Sequence, residues 1–541
     1  MLPRLALPPS LAVLALIALV FVAPGLLGHD PWKTYDVISI EIVHRMQLSG
    51  DWLVPHIAES RWLADPPLFY WAGLAFAKVF AGLLGFHQAV RLASGAFMLA
   101  ALALAYVAGR DLAPRAEERR ATAAAAPLFI LGAIGLIVHA HEALPDLAAM
   151  AAVCGAFAAA ARAPRRPLLT GAAFGAALAG AFLASGLVVP AALGVAALVA
   201  LLVCDEWRTR RGAAFAGMSA FVALALSSSW PLALWLRSPK LLAEWWSLTA
   251  EPQGAFFANL KYFLVTASWF AWPAWPVAGW ALWSQRRRWR EPRVFLPFAA
   301  LLATLVGISL AGPAQEITTL PLVAPFALLA AGGVPRLRRG AANALDWFGV
   351  MTFTFVGALI WVGYVATMTP LFPTIGHNFA KLAPGFGAHF APLPFAAALA
   401  VALAWLYLAF FTPPSPTRGI TRWAAGVALL WSTLSFLLLP WADYVKSYRS
   451  VALHLRAHLP AGTGCIAREH LGISQRAALS YHAGIVTREF DPFAPDTCRL
   501  LVVQSSPEEE PDVPGPSWRK IADVGRPGDK AERLRLYYHM R

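Results

Sequence analysis

Residues 68–86, "LFYWAGLAFAKVFAGLLGF", are apolar enough to cross a bilayer, and whether they do so decides on which side every later loop lies. The 541-residue chain around them is 58% hydrophobic and only 14% charged, a balance that belongs to proteins with many membrane spans. Most of its net charge of +14 comes from short runs between apolar segments: "RAEERR" (115–120), "RAPRR" (162–166), "RTRR" (208–211), "RRRWR" (286–290) and "RLRR" (336–339). Such runs mark cytoplasmic loops under the positive-inside rule. They do not form the single soluble basic surface that a nucleic-acid partner needs, so that class of partner is excluded.

If 68–86 spanned, "RAEERR" would fall outside and every later loop would invert. The stretch therefore reads as a helix along the interface, with Tyr70, Trp71 and Lys78 suited to the headgroup boundary. The first span is then 8–27, retained because no cleavage signature follows it, with Arg4 holding the N-terminus in the cytoplasm. Residues 28–90 lie outside. Further spans follow at 91–109, 122–138, 146–161, 168–184, 186–204, 212–236, 263–284, 294–311, 317–334, 343–368, 391–411 and 421–440, roughly thirteen in all. All basic runs then share one face.

From 441 the pattern changes. "CRLLVVQS" (498–505), "SWRKIADVG" (517–525) and "ERLRLYYH" (532–539) read as short strands, and "SQRAALSYHAG" (474–484) as a helix. The fold class is thus a polytopic α-helical membrane protein, with a membrane domain over 1–440 and a small soluble α/β domain over 441–541 on the outer side. Cys154 and Cys204 fall in apolar spans as buried thiols, whereas Cys465 and Cys498 are placed to pair if their domain faces an oxidising compartment.

Chemistry is sought among polar groups at the outer face, because ionisable residues near hydrocarbon are costly. The first outer loop supplies Asp36, Glu41, Arg45, Asp51, Arg61 and Asp65, followed by Arg91; the second supplies His139, His141, Glu142 and Asp146; later ones supply Lys240, Lys261 and Glu316. Each has a plain structural alternative. Asp51 in "SGDW" suits a turn, and Asp146 after Pro145 suits a helix start. Asp36 in "TYDVISIEIVHRM" would be an exposed helix residue, opposite a stripe of Ile38, Ile42 and Met46. Histidine and carboxylate on the second loop also suit a divalent metal ion, although no CxxC or Cys/His spacing marks a structural zinc site.

The run "YDVISIEIVHRMQLSGDWLVPH" followed by "ADPPLFYW" resembles the first periplasmic loop of the aminoarabinose transferase and protein mannosyltransferase group of GT-C glycosyltransferases. The likeness rests on Glu41, Met46, Gly50, Asp51, Trp52, Pro55, Pro66, Pro67, Leu68 and Trp71. "RLASGAF" (91–97) and the tail "VGRPGDKAERLRLYYH" (524–539) are similar to later family segments. The resemblance implies a bacterial inner-membrane enzyme, catalysing inverting transfer of a sugar from a polyprenyl-phosphate donor to a lipid (lipid A-like), glycan or protein acceptor. On that view Asp36 acts as base, Asp146 assists it, and Glu41, Arg45, Asp51, Arg61, Asp65, Arg91, His139, His141, Lys240, Lys261 and Glu316 contribute to substrate binding. The departures lie in the same motifs. Tyr35 replaces the first acid of a pair, Ala64-Asp65 replaces Glu-Lys, Ala184-Ser185-Gly186 replaces Thr-Lys-Gly, and "GPAQEITTLP" (312–321) lacks the family's basic cluster. The lost cations keep open a non-catalytic binder of lipid-linked sugar. A lipid-linked glycan transporter is disfavoured by the absence of an inverted repeat and of deeply placed ionisable residues.

Overall fold

The computed structural model describes residues 8–113, 115–163, 165–250, 255–460, 462, 464–491, 498–508 and 517–540; Arg4 lies outside them. Helices occupy every segment read as a span. α1 is Leu11–Val22, α2 Tyr35–Ser49, α3 Leu68–Leu84, α4 Phe86–Asp111, α5 Arg119–Leu131, α6 Leu136–His139 and α7 Pro145–Ala160. Among the described residues eight helices are long and apolar enough to cross a membrane, and α1, α3, α7 and Val188–Val203 are shorter apolar helices.

Three interruptions were not expected, one of them the break between α5 and α6 within 122–138. The segment 263–284 is divided into Phe256–Phe270 and Ala274–Ser284, since Pro273 has no N–H to donate and its ring crowds the preceding turn. Likewise 212–236 consists of Arg210–Ser227 and Ser229–Arg237.

The helices pack through small residues. A Cβ on Gly171 or Gly175 would stand 2.7 Å from the Phe215 carbonyl oxygen or 2.5 Å from that of Ser219, so this four-residue glycine spacing is what lets Pro167–Ser185 lie against Arg210–Ser227. α5 and α7 are alanine-rich and almost wholly buried. Near the basic boundary Asp346 is buried with Arg418 (2.8 Å) and Arg422 (3.0 Å), joining Arg339–Met368 to Arg418–Lys446. This ionic group sits at the ends of the two spans, so it does not place charge deep within them.

α3 buries a stripe of Phe69, Tyr70, Gly73, Leu74 and Ala77 and exposes Lys78, Val79 and Leu83 on its other side. α2 differs from the amphipathic helix expected: Asp36 to Val43 and Met46 are all buried. The cause is tertiary, because helix Ile473–Ala483 of the C-terminal region covers the side that would otherwise face water.

That C-terminal region holds a five-stranded sheet in the order 488–489, 466–469, 500–505, 533–539, 518–524. The three longer strands match those read from the sequence. The short parallel strands Ile466–Glu469 and Arg488–Glu489 were missed. A disulfide links Cys465 to Cys498.

Candidate active site

The first polar centre is a saturated ion pair. Arg91 on α4 and Asp36 on α2 are both fully buried, with Arg91 Nη2 2.6 Å from Asp36 Oδ2 and Nε 3.1 Å from Oδ1. Asp36 also accepts the backbone N–H of Trp32 (3.1 Å) and of Ala143 (2.8 Å). Arg91 also donates from Nη1 to the His29 carbonyl (2.9 Å) and from Nη2 to the Asp30 carbonyl (2.8 Å). A carboxylate offers about four lone-pair directions, and all four are taken. Burial alone would raise the Asp36 carboxyl, but the Arg91 charge and hydrogen bonds, with His29 and the Ala143 N–H, outweigh it and hold the group ionised to lower pH than usual. The arrangement ties the 29–36 segment, α4 and the second outer loop together. In this geometry the four lone-pair directions of Asp36 and four of the five N–H donors of Arg91 are already committed within the protein.

His141 is occupied in the same way. Its ring nitrogens lie 2.7 Å from the Phe21 carbonyl and 3.0 Å from that of Ile137, and the ring stacks on Trp431 at 4.3 Å. Both ring nitrogens thus face main-chain carbonyls, one of them on α1. Among the described residues no three His, Cys, Asp or Glu side chains converge as metal ligands.

The second centre is open. α7 begins at Pro145 and Asp146, and Asp146 is half-buried within electrostatic reach of Asp65 and His139. Asp65 lies just before α3 and accepts the Trp62 indole N–H (3.0 Å) and the Tyr70 hydroxyl (3.3 Å). Burial raises the Asp65 carboxyl, and those two hydrogen bonds only partly oppose the rise. His139 bridges Glu142 (2.7 Å) and Glu316 (3.3 Å); burial would lower its pKa, but these carboxylates outweigh that and raise it. Tyr35 completes the rim, donating its hydroxyl to Gln315 (2.8 Å). Burial first, then Asp146, Glu142 and Glu316, push Tyr35 up to about 12, so it stays a neutral donor. Sequence reasoning set Tyr70 at the headgroup boundary, Tyr35 in the place of a family acid and Gln315 among the polar groups of a later outer segment, and gave none of them a part in the site. A tyrosine where a family acid belongs was the one available signal.

The remaining candidates divide by partner. Glu41 is fully buried and accepts Arg45 (2.7 Å), the Ser480 hydroxyl (2.5 Å) and the Ala58 N–H (3.3 Å); Arg45 also donates to Ser480. With the Lys33–Glu532 pair (3.1 Å), this group fastens the C-terminal region to the first loop. Asp51 follows the left-handed Gly50, caps the N–H groups of Leu53 and Val54, and pairs with Arg237 at 2.8 Å. That pair lies at a cleft of about 610 Å³ lined by Trp52, Trp71 and Trp230. Arg61 pairs with Glu244 at 2.5 Å. Lys240 and Lys261 are exposed, and among the described residues no carboxylate pairs with either. Asn259, two residues before Lys261, donates to the Ser309 (3.2 Å) and Gly312 (2.8 Å) carbonyls and so fixes this helix start against the segment that carries Glu316.

No family model matches the sequence. The chain is similar to the undecaprenyl phosphate-alpha-4-amino-4-deoxy-L-arabinose arabinosyl transferase of Pectobacterium atrosepticum, 24% identical over 366 residues. That match covers 63% of this chain and 62% of the relative, so less than two thirds of the relative's length is spanned. Among solved structures it is similar to ArnT from Cupriavidus metallidurans bound to undecaprenyl phosphate, with a TM-score of 0.66, 18% identity and 97% of each chain covered. The apo state of that protein gives a TM-score of 0.65 at 17% identity over the same shares. At this likeness the fold is established: the chain has the GT-C architecture of helical membrane domain and C-terminal sheet domain.

Proposed function

We propose that this protein is a membrane glycosyltransferase that moves a sugar from a polyprenyl-phosphate donor to a lipid, glycan or protein acceptor at the outer face of a bacterial inner membrane. The observation that carries this reading is the half-open carboxylate centre of Asp146 and Asp65, built where loops and helix ends meet at the face opposite the basic runs. Asp146 and "RAPRR" bracket α7, whose 16 residues separate them by about 24 Å. The similar transferase of Pectobacterium atrosepticum is named for an undecaprenyl phosphate sugar, which adds the donor class.

In the proposed step Asp146 takes the proton of an acceptor hydroxyl or phosphate. The acceptor oxygen bonds the anomeric carbon as the bond to the carrier phosphate breaks, so polyprenyl phosphate leaves with the electron pair and configuration inverts. Asp36 acts as a positioning residue, since its contacts set the second outer loop from which Asp146 projects. Lys240 and Lys261 are our choice for the carrier phosphate, because a lysine without a carboxylate partner gives up no ion pair on binding an anion. The N-terminus is then cytoplasmic and residues 441–541 periplasmic, the site of cell-envelope or lipopolysaccharide modification. The disulfide and the ties from Ser480 and Glu532 to the first loop support that placement.

The test is transfer of a labelled sugar by the purified chain from a panel of polyprenyl-phosphate sugars to membrane lipid and glycan extracts. A labelled product together with released carrier supports the reading. Retention of carrier with no turnover of any donor supports the non-catalytic binder instead.

A further inference from the structure

The opposite boundary of the protein holds a second feature that sugar transfer does not use. Ala274–Ser284 ends at the basic run 286–290, and Arg339–Met368 begins at the basic run 336–339, so both helices reach the same membrane edge. Between them lies a slot of about 580 Å³ whose walls include Trp272, Pro276, Trp280, Ala341, Ala344 and Phe348. Arg338 stands at its mouth.

We propose that this slot binds one anionic phospholipid of the bilayer, with the headgroup on Arg338 and an acyl chain along the apolar walls. Depth argues for a lipid. From Arg339 to Phe348 the helix rises roughly 14 Å, and half of a hydrocarbon core of about 30 Å is one leaflet. Phe348 and the neighbouring Trp347 are exposed, as side chains facing lipid would be.

Charge argues for an anion. Arg336 is engaged by Glu118 (3.3 Å) and by the Gly332 carbonyl (2.8 Å). Arg338 is exposed, stacks over the Trp280 ring at 5.6 Å, and among the described residues has no carboxylate partner. Trp280 is a fixed platform, because its indole N–H donates to the Arg336 carbonyl at 3.0 Å. Pro273 and Pro276, at the start of Ala274–Ser284, also line the slot. A basic residue at the mouth of an apolar gap between membrane helices is the arrangement that holds acidic headgroups.

The test is native mass spectrometry of the full chain in detergent, titrated with phosphatidylglycerol or with phosphatidylcholine of the same acyl chains. Wild type retains one phosphatidylglycerol in preference to phosphatidylcholine. Arg338→Ala, at an exposed site that leaves folding alone, weakens retention of phosphatidylglycerol by about fivefold and leaves phosphatidylcholine unchanged. Ala341→Trp fills the slot and removes the tightly held lipid. Equal retention of the two lipids by wild type, or retention unaffected by both substitutions, overturns the proposal in favour of diffuse attraction to the basic surface. A dimer that forms without lipid and is broken by Ala341→Trp overturns it in favour of a second copy of the chain.

Discussion

Asp36 and Asp146 lie at the starts of two helices that meet the same outer loops, and the sequence offers both as acids of a reaction centre. Their surroundings separate them. Asp36 is enclosed by two guanidinium donors and two backbone N–H groups, whereas Asp146 is half-buried beside a second carboxylate, a histidine and a tyrosine that hold protons of their own. A carboxylate that has filled its lone pairs orders the chain around it. One with free lone pairs has capacity left for a ligand's proton.

The largest effect is expected at the open centre. Asp146→Asn should lower sugar transfer by roughly 10²–10⁴-fold, the usual worth of a positioned general base, with the thermal midpoint in detergent unchanged. At the closed centre the order reverses. Arg91→Ala strands a buried carboxylate and should cost about 3–5 kcal/mol of stability, read as a fall in the thermal midpoint. Replacing Arg91 and Asp36 together by Met and Leu should recover much of that loss. Ser480→Ala removes one donor from buried Glu41 and should cost about 1–3 kcal/mol, loosening the C-terminal region as seen by faster proteolysis there. Asp51→Ala breaks a part-exposed pair with Arg237 and should change stability by no more than about 1 kcal/mol.

Titration sharpens the contrast because the two kinds of site carry opposite signs. The Asp36 pKa is depressed by folding, so its contribution is full above the unfolded value of 3.8 and is lost as pH falls through the folded pKa. The Asp65 pKa is raised by folding, so its contribution is full below 3.8 and is lost as pH rises from there to the folded pKa. Thermal midpoints measured across the acidic range should therefore decline less with rising pH in Asp65→Asn than in wild type. An unchanged slope would show that Asp65 is not desolvated as described.

Much of this was legible in local pattern. Apolar runs and basic punctuation located the helical segments, and alternation located the three long strands of the tail. The rest depends on contacts far apart in sequence. α2 reads as amphipathic, but a helix more than four hundred residues later covers its polar side, and Glu41 becomes a buried fastener instead of a surface acid. Asp36 and Arg91 are 55 residues apart, so nothing local announces that each satisfies the other. Strand Ile466–Glu469 is four residues long and gains its identity only by pairing with 500–503. At the candidate site the acids were visible as residue types, but which of them retained free lone pairs was not, since that is decided by donors from other elements.

The most direct test is single-turnover sugar transfer per folded molecule in Asp146→Asn and Asp36→Asn, with the folded fraction of each measured in the same detergent. The account predicts that Asp146→Asn folds fully and turns over at most about a hundredth as fast as wild type. Asp36 acts only by setting the loop that carries Asp146, so Asp36→Asn should lose far less turnover per folded molecule than Asp146→Asn. A well-folded Asp36→Asn that is inactive beside an active Asp146→Asn would contradict it and return the base to Asp36.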